Sequence, residues 1–180
     1  MIRLATPADA PQIAAIYRPF CDDSHISFET SAPDAAEMAS RIEKINQRFP
    51  WLVDEIDGAI AGYAYASPHR ERAAYRWAVE VTVYIHEQFR GRGLGRALYT
   101  ELFKRLRGQG FFKAYAGITQ PNPASAAFHE SMGFAPVGTY RKIGYKLGSW
   151  WDTSWWQIAL QPEVESPAEP RPPPPVPCAP

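Results

Sequence analysis

The sequence predicts an α/β domain, with a mixed, mostly antiparallel central sheet of six to seven strands covered by helices on both faces. Three observations carry this reading. Two strand-like segments flank Asp57-Gly58, a strong hairpin signal, so the sheet begins antiparallel. A strand pattern over 77–85, a helix pattern over 94–106 and a strand pattern over 111–119 then make a strand–helix–strand crossover. The aromatic-rich stretch from Tyr140 to Leu160 returns to strands.

The elements follow in order. Residues 2–4 form a short first strand. Thr6-Pro7 reads as N-cap and first helical residue, and Ile13, Ile16 and Tyr17 give that helix its apolar face. Residues 20–32 are loop-like. A second helix spans 35–49, with Met38, Ile42 and Ile45 at helical spacing, and Pro50 ends it. Strands 51–56 and 59–66 form the hairpin. Leu94, Leu98, Leu102 and Leu106 make one stripe on the next helix. Asn122 caps a short helix that ends near Gly133, and strands follow from Phe134.

The chain has 180 residues, enough for one domain with a substantial core. Its formal net charge is zero, so no global field favours nucleic acid or an anionic membrane. Cys21 and Cys178 have no metal-ligand spacing, and no signal-peptide or membrane-spanning segment is evident, so a cytoplasmic protein is expected. His25, His69 and His86 likewise have no metal-ligand pattern, and no metal is expected. From Gln161 the composition changes, with nine prolines in the last twenty residues. We therefore divide the chain into a domain over 1–160 and an extended or disordered tail over 161–180.

The most informative stretch joins the strand 77–85 to the helix 94–106. Gly91, Gly93 and Gly95 stand at every second position, where they let backbone N–H groups approach a ligand. The helix that follows directs its positive end at the same spot, and Arg90, Arg92 and Arg96 add charge. This is a pyrophosphate pocket. The Gly-x-Gly-x-Gly spacing lacks the third glycine position of the dinucleotide fingerprint, and Gly95-Arg96-Ala97 lacks the Lys-Ser/Thr of a triphosphate loop.

Within the strand 77–85, Trp77, Val79, Val81, Val83 and Ile85 share one face, which puts Glu80 on the other beside Ala78 and Thr82. A carboxylate in an apolar central strand is costly unless solvated or paired, which suggests a wet cleft. There it can take a proton through water, although an edge-strand carboxylate or ion-pair partner is the simpler alternative.

Arg90-Gly91-Arg92-Gly93-Leu94-Gly95 resembles the acyl-CoA signature of the GNAT superfamily of N-acetyltransferases. Asn122 through Gly133-Phe134 resembles that family's second element, and the likeness covers about residues 1–160. The segments Phe49-Pro50-Trp51-Leu52-Val53, Ala64-Tyr65-Ala66, Thr82-Val83-Tyr84-Ile85 and Trp155-Trp156-Gln157 are similar to its phosphinothricin and methionine sulfoximine acetyltransferase branch.

The resemblance implies the GNAT fold, with splayed strands forming a CoA cleft. It also implies acetyl transfer from acetyl-CoA to the amino group of a small amino acid analogue. Glu80 is then the base that neutralises the amine. His129 stands where much of the superfamily has a tyrosine, acting as acid to the thiolate or as auxiliary base. Val83, Tyr84 and Ile85 offer backbone groups to the pantetheine arm. Leu94, Asn122 and Ser125 join the glycines and arginines as cofactor contacts, though Asn122 also serves simply as a cap. Arg72 and Tyr75 fall where the branch holds its substrate's anionic groups, and Phe28 walls the amine pocket. A homodimer is expected, with Trp150, Trp151, Trp155 and Trp156 as its candidate surface, core packing being the simpler account of them. Two alternatives stay open: acetylation of a protein N-terminus or another small amine, and a catalytically silent acyl-CoA-binding module.

Overall fold

The computed structural model describes residues 1–173 and has seven strands and four α-helices among them. In chain order these are β1 (Ile2–Leu4), α1 (Ala10–Asp22), α2 (Ala35–Asn46), β2 (Trp51–Ile56), β3 (Ala59–Pro68), β4 (Ala78–Ile85), α3 (Leu94–Gln109), β5 (Lys113–Gln120), α4 (Pro123–Ser131), β6 (Ala135–Lys146) and β7 (Ser149–Ala159). The sheet order is β1-β2-β3-β4-β5-β7-β6, and every neighbouring pair is antiparallel except β4–β5.

The element boundaries differ from the sequence reading where side chains intervene. A 3-10 turn over Pro7–Asp9 precedes α1, because the Asp9 carboxylate accepts the Thr6 N–H at 2.8 Å and binds Arg3 through two bonds of 2.7 Å. Helix α2 stops at Asn46 rather than at residue 49. The Asn46 amide donates to the Ala5 carbonyl at 2.9 Å and accepts the Trp51 N–H at 3.0 Å, which pins the exit of the helix to the sheet. Strand β3 runs two residues beyond its expected end, since Ser67 and Pro68 still pair with Glu80 and Val79.

The two faces of the sheet bury different sets of residues. Helix α3 covers one face with Leu98, Leu102 and Leu106, all fully buried against Ala64, Ala66, Val79 and Ala114. Each such leucine contributes roughly 1.5–3 kcal/mol. Leu94, the first residue of the expected stripe, lines a cleft instead. Helices α1 and α2 cover the other face with Ile13, Ile16, Met38 and Ile42 against Trp51, Val53 and Tyr63.

Residues 161–173 contain no helix or strand, but they are tied to the domain by side-chain and backbone bonds. Trp77 Nε1 donates to the Ala168 carbonyl at 2.8 Å, and Gln109 and Arg171 exchange two hydrogen bonds of 2.8 Å. Residues 174–180, with Cys178, lie outside the described residues.

Candidate active site

The site begins with a broken strand pair. β4 and β5 run parallel and register only at Ala78–Lys113, Val79–Ala114 and Glu80–Tyr115. Beyond Glu80 they separate, while β4 stays paired to β3 as far as Ile85 and β5 to β7 as far as Gln120. Backbone groups of residues 81–85 on the β5 side therefore have no strand partner. In a folded interior such groups need a hydrogen-bonding occupant or water.

The gap opens into a cleft of about 540 Å³. Its walls include Val83, Tyr84 and Ile85 of β4, Arg90, Gly91, Gly93, Leu94, Gly95 and Arg96 of the loop and α3, and Asn122, Ser125 and Phe128 of α4. Gly91 and Gly93 have φ of +75° and +79°, left-handed conformations that strain any residue with a Cβ. Gly93 caps α3 and points the helix's unpaired N–H groups at the cleft. Gly95 is needed for space, because a Cβ there would stand 3.3 Å from the Phe128 ring.

The three arginines separate. Arg90 lies over the Phe20 ring at 5.5 Å and faces the cleft. Arg96 also lines it, but its guanidinium is engaged by Ser131 at 3.1–3.2 Å. Arg92 stacks on Phe89 at 5.2 Å and is not among the cleft-lining residues. Asn122 caps α4, its side-chain oxygen accepting the Ser125 N–H at 3.1 Å, and it also borders the cleft.

At the inner end of the splay, a smaller cavity of about 100 Å³ is bordered by Thr82, Tyr99, Gly117, Ser125 and His129. His129 is 5% exposed. Its Nδ1 lies 2.8 Å from the Ser125 carbonyl oxygen, which has no hydrogen, so Nδ1 carries the proton. Its Nε2 is then an acceptor and takes the Tyr99 hydroxyl proton at 3.2 Å. Burial holds the imidazole pKa below its ordinary value, so the ring is neutral at pH 7.

Glu80 sits at the last position of β4 that pairs with β5, on the face the alternation assigns. Its Oε1 lies 3.1 Å from His69 Nδ1 and 3.4 Å from an Arg70 nitrogen. Burial pushes its carboxyl up to about 6, and the Arg70 charge limits the rise.

Tyr75, 45% exposed, reaches this neighbourhood with its ring centroid 6.4 Å from that of His69 and nearly perpendicular to it. Arg72 borders a separate basin with Arg48, Arg70, Tyr75 and Arg76, and Arg70 is the arginine that touches Glu80. Phe28 packs on Gly144, where any Cβ would overlap its ring. The loop carrying Phe28 is held by Lys146, buried to 5% exposure, whose ammonium donates to the Ser27 carbonyl at 2.6 Å and the Phe20 carbonyl at 3.3 Å.

Sequence reasoning missed His69, Arg70, Tyr99 and Lys146. For His69 the link to Glu80 comes from the strand register, which the folded sheet sets. Ser67 pairs with Glu80, so a residue two further along β3's direction lies diagonally across on the same face. No sequence signal links Tyr99 to His129 or Lys146 to Ser27, which meet only in the assembled fold.

A parallel pair that splays beside a glycine-capped helix is the arrangement that the GNAT resemblance implies for an acyl-CoA-dependent transferase. The chain belongs to the acetyltransferase (GNAT) domain family, which matches residues 2–155. It is 41% identical over 171 residues to a phosphinothricin N-acetyltransferase of Streptomyces viridochromogenes, covering 95% of this chain and 91% of that protein. It is 33% identical over 168 residues to an L-methionine sulfoximine/L-methionine sulfone acetyltransferase of Pseudomonas paraeruginosa, covering 92% and 98%. Among solved structures, a GNAT superfamily phosphinothricin acetyltransferase from Sinorhizobium meliloti in complex with AcCoA superposes with a TM-score of 0.85 at 36% identity, covering 93% of this chain and 94% of that one. The chain is thus an N-acetyltransferase.

Proposed function

We propose that this enzyme uses acetyl-CoA to acetylate the amino group of a small amino acid analogue of the phosphinothricin or methionine sulfoximine type. The observation that carries the reading is Glu80, a carboxylate raised to about 6 at the point where β4 and β5 part. The names of the relatives support the substrate class. The cradle of Gly91, Gly93 and the α3 N-terminus fits a pyrophosphate, and the β5-facing backbone of β4 past Glu80, which has no strand partner, fits an amide-bearing arm.

The reaction is attack of a neutral amine on the thioester carbonyl with departure of the thiolate. Most alkyl amines are protonated at pH 7. Glu80, ionised above about pH 6, accepts the ammonium proton through water. Backbone N–H groups on the free side of β4 are available to the carbonyl oxygen as it gains charge. The bonds of His129 disfavour the acid role, since its one proton is on Nδ1 and held by the Ser125 carbonyl while Nε2 has none to give; as auxiliary base it acts through the Tyr99 hydroxyl that Nε2 accepts from. Arg72 and Tyr75 are assigned to the substrate's anionic groups and Phe28 to the amine pocket.

The catalytic domain comprises residues 1–160, with 161–180 as an appended tail. A cytoplasmic location fits a buried, free Cys21 and the need for acetyl-CoA. No helix among the described residues is long and apolar enough to cross a membrane. A homodimer is supported by the exposed apolar face of the β6–β7 hairpin, described below.

Thiol release from acetyl-CoA, measured against a panel of amino acid analogues, simple primary amines and N-terminal peptides, tests the substrate class. Release with the phosphinothricin- or methionine sulfoximine-type amines is expected. Release with peptides alone would replace this reading, and release with none of the panel would remove it.

A further inference from the structure

His69 lies in the segment that leads out of β3, and its ring is held on several sides. It stacks on Tyr115 of β5 with centroids 4.3 Å apart and planes 13° from parallel. Trp155 on β7 and Tyr75 on its own loop stand nearly perpendicular to it, with ring centroids 5.7 Å and 6.4 Å away. Its side chain is 14% exposed, and its Nδ1 faces Glu80 Oε1 at 3.1 Å. Packing alone would be served by any flat ring. What an imidazole adds here is one N–H aimed at a carboxylate.

We infer that His69 is a positioning residue for the acetyl-transfer base, donating Nδ1–H to Glu80 Oε1 so that Oε2 is the oxygen that takes the amine's proton. This rests on the reading of Glu80 as base. An ionised carboxylate is only an acceptor, so the shared proton belongs to the ring. The donated bond stabilises the charged carboxylate against the burial that opposes it. His69 keeps its proton throughout. The ammonium proton passes through water to Oε2 and later leaves to solvent, so no proton travels through the ring.

The charged and titratable groups facing His69 are few among the described residues. Arg70 and Tyr75 lie on its own segment, Glu80 on β4 and Tyr115 on β5, while β7 contributes the uncharged Trp155. Burial and the Arg70 charge both hold the imidazole pKa below its ordinary value, which keeps a neutral donor in place across the working pH range.

The test compares H69F, H69N and E80Q with the unsubstituted enzyme, in pH profiles of kcat and kcat/KM for the amine. Phenylalanine keeps the stack on Tyr115 and removes the donor. Asparagine offers an amide N–H near the place of Nδ1. We expect H69F to move the acidic limb up by about one pH unit, lowering kcat about twofold at pH 7 and about fivefold at pH 6, with KM for acetyl-CoA unchanged. H69N should return the limb most of the way.

If E80Q removes the limb while H69F leaves both limb and kcat unchanged, His69 is mere packing and this inference falls alone. If E80Q retains the limb, the base assignment falls and takes this inference with it. A measurement on the unsubstituted protein covers the case in which H69F does not fold. Nitrogen-15 imidazole spectra should show His69 as the Nδ1–H tautomer at pH 8, with a shift as Glu80 titrates. The Nε2–H tautomer there would overturn the proposal.

Discussion

Glu80 illustrates how one residue's environment sets both stability and rate. Its carboxyl is raised from an ordinary 4.5 to about 6, because burial penalises its charge more than Arg70 relieves it. A group raised in the folded state adds stability that is complete below its unfolded pKa and lost as pH rises through the folded one. Ionised Glu80 therefore destabilises the fold at pH 7. With 31% of the side chain in contact with water, the cost is discounted to about 1 kcal/mol. Catalysis has the opposite sign, since a base must be ionised to accept a proton. E80Q is expected to lower kcat by roughly 10²- to 10⁴-fold in a thiol-release assay and to raise the melting temperature at pH 7. In the unsubstituted enzyme, kcat/KM should fall tenfold per pH unit below about 6, and a flat profile down to pH 5 would rule out this base. The face and strand of Glu80 were legible in the alternation of 77–85. Its partner His69 was read only as a histidine without metal spacing, because its role depends on where β3 ends and its segment turns.

At the scale of elements, the junction of β4 and α3 was the most readable part of the chain. Three alternate glycines before a leucine stripe could be interpreted without coordinates. The structure distinguishes their reasons: Gly91 and Gly93 for positive φ, and Gly95 for contact with Phe128. G93A should cost about 1–2 kcal/mol in a denaturant titration, from forcing a Cβ into the left-handed region. It should also raise KM for acetyl-CoA roughly tenfold as the helix end tilts, with KM for the amine unchanged. The arginines were less readable, since charge alone does not say which guanidinium is already spoken for. Arg96 is occupied by Ser131 and Arg92 by Phe89. The loop before α2 was opaque for a related reason. Lys146, whose ammonium holds that loop, comes 119 residues after Ser27 and reads locally as an ordinary hairpin lysine.

For the whole molecule, the tryptophans of the last two strands divide between two fates. Trp151, Trp155 and Trp156 are partly buried, and the indoles of Trp151 and Trp156 donate to Lys146 and Ser154. Trp150 is 60% exposed and stands beside Tyr145, at 59%, on a hairpin that also exposes Tyr140, Ile143 and Leu147. This apolar face is the one assigned to the proposed dimer. Replacing Tyr145 and Trp150 together with serine should convert a dimer to a monomer in sedimentation velocity, with little change in melting temperature measured at monomer-forming dilution. A monomeric unsubstituted protein would remove the dimer.

The sequence alone determined the order of strands and helices, the hairpin, the crossover, the glycine loop and the face of Glu80, because each is written in spacing within a dozen or so neighbouring residues. Only the tertiary structure decided that β4 and β5 part after Glu80, that His129 accepts from Tyr99, and that His69 and Arg70 attend the carboxylate. Those facts join residues from 10 to 35 positions apart on different elements. Local periodicity carries no information about such distances, because they are set by how the helices and the sheet pack on one another.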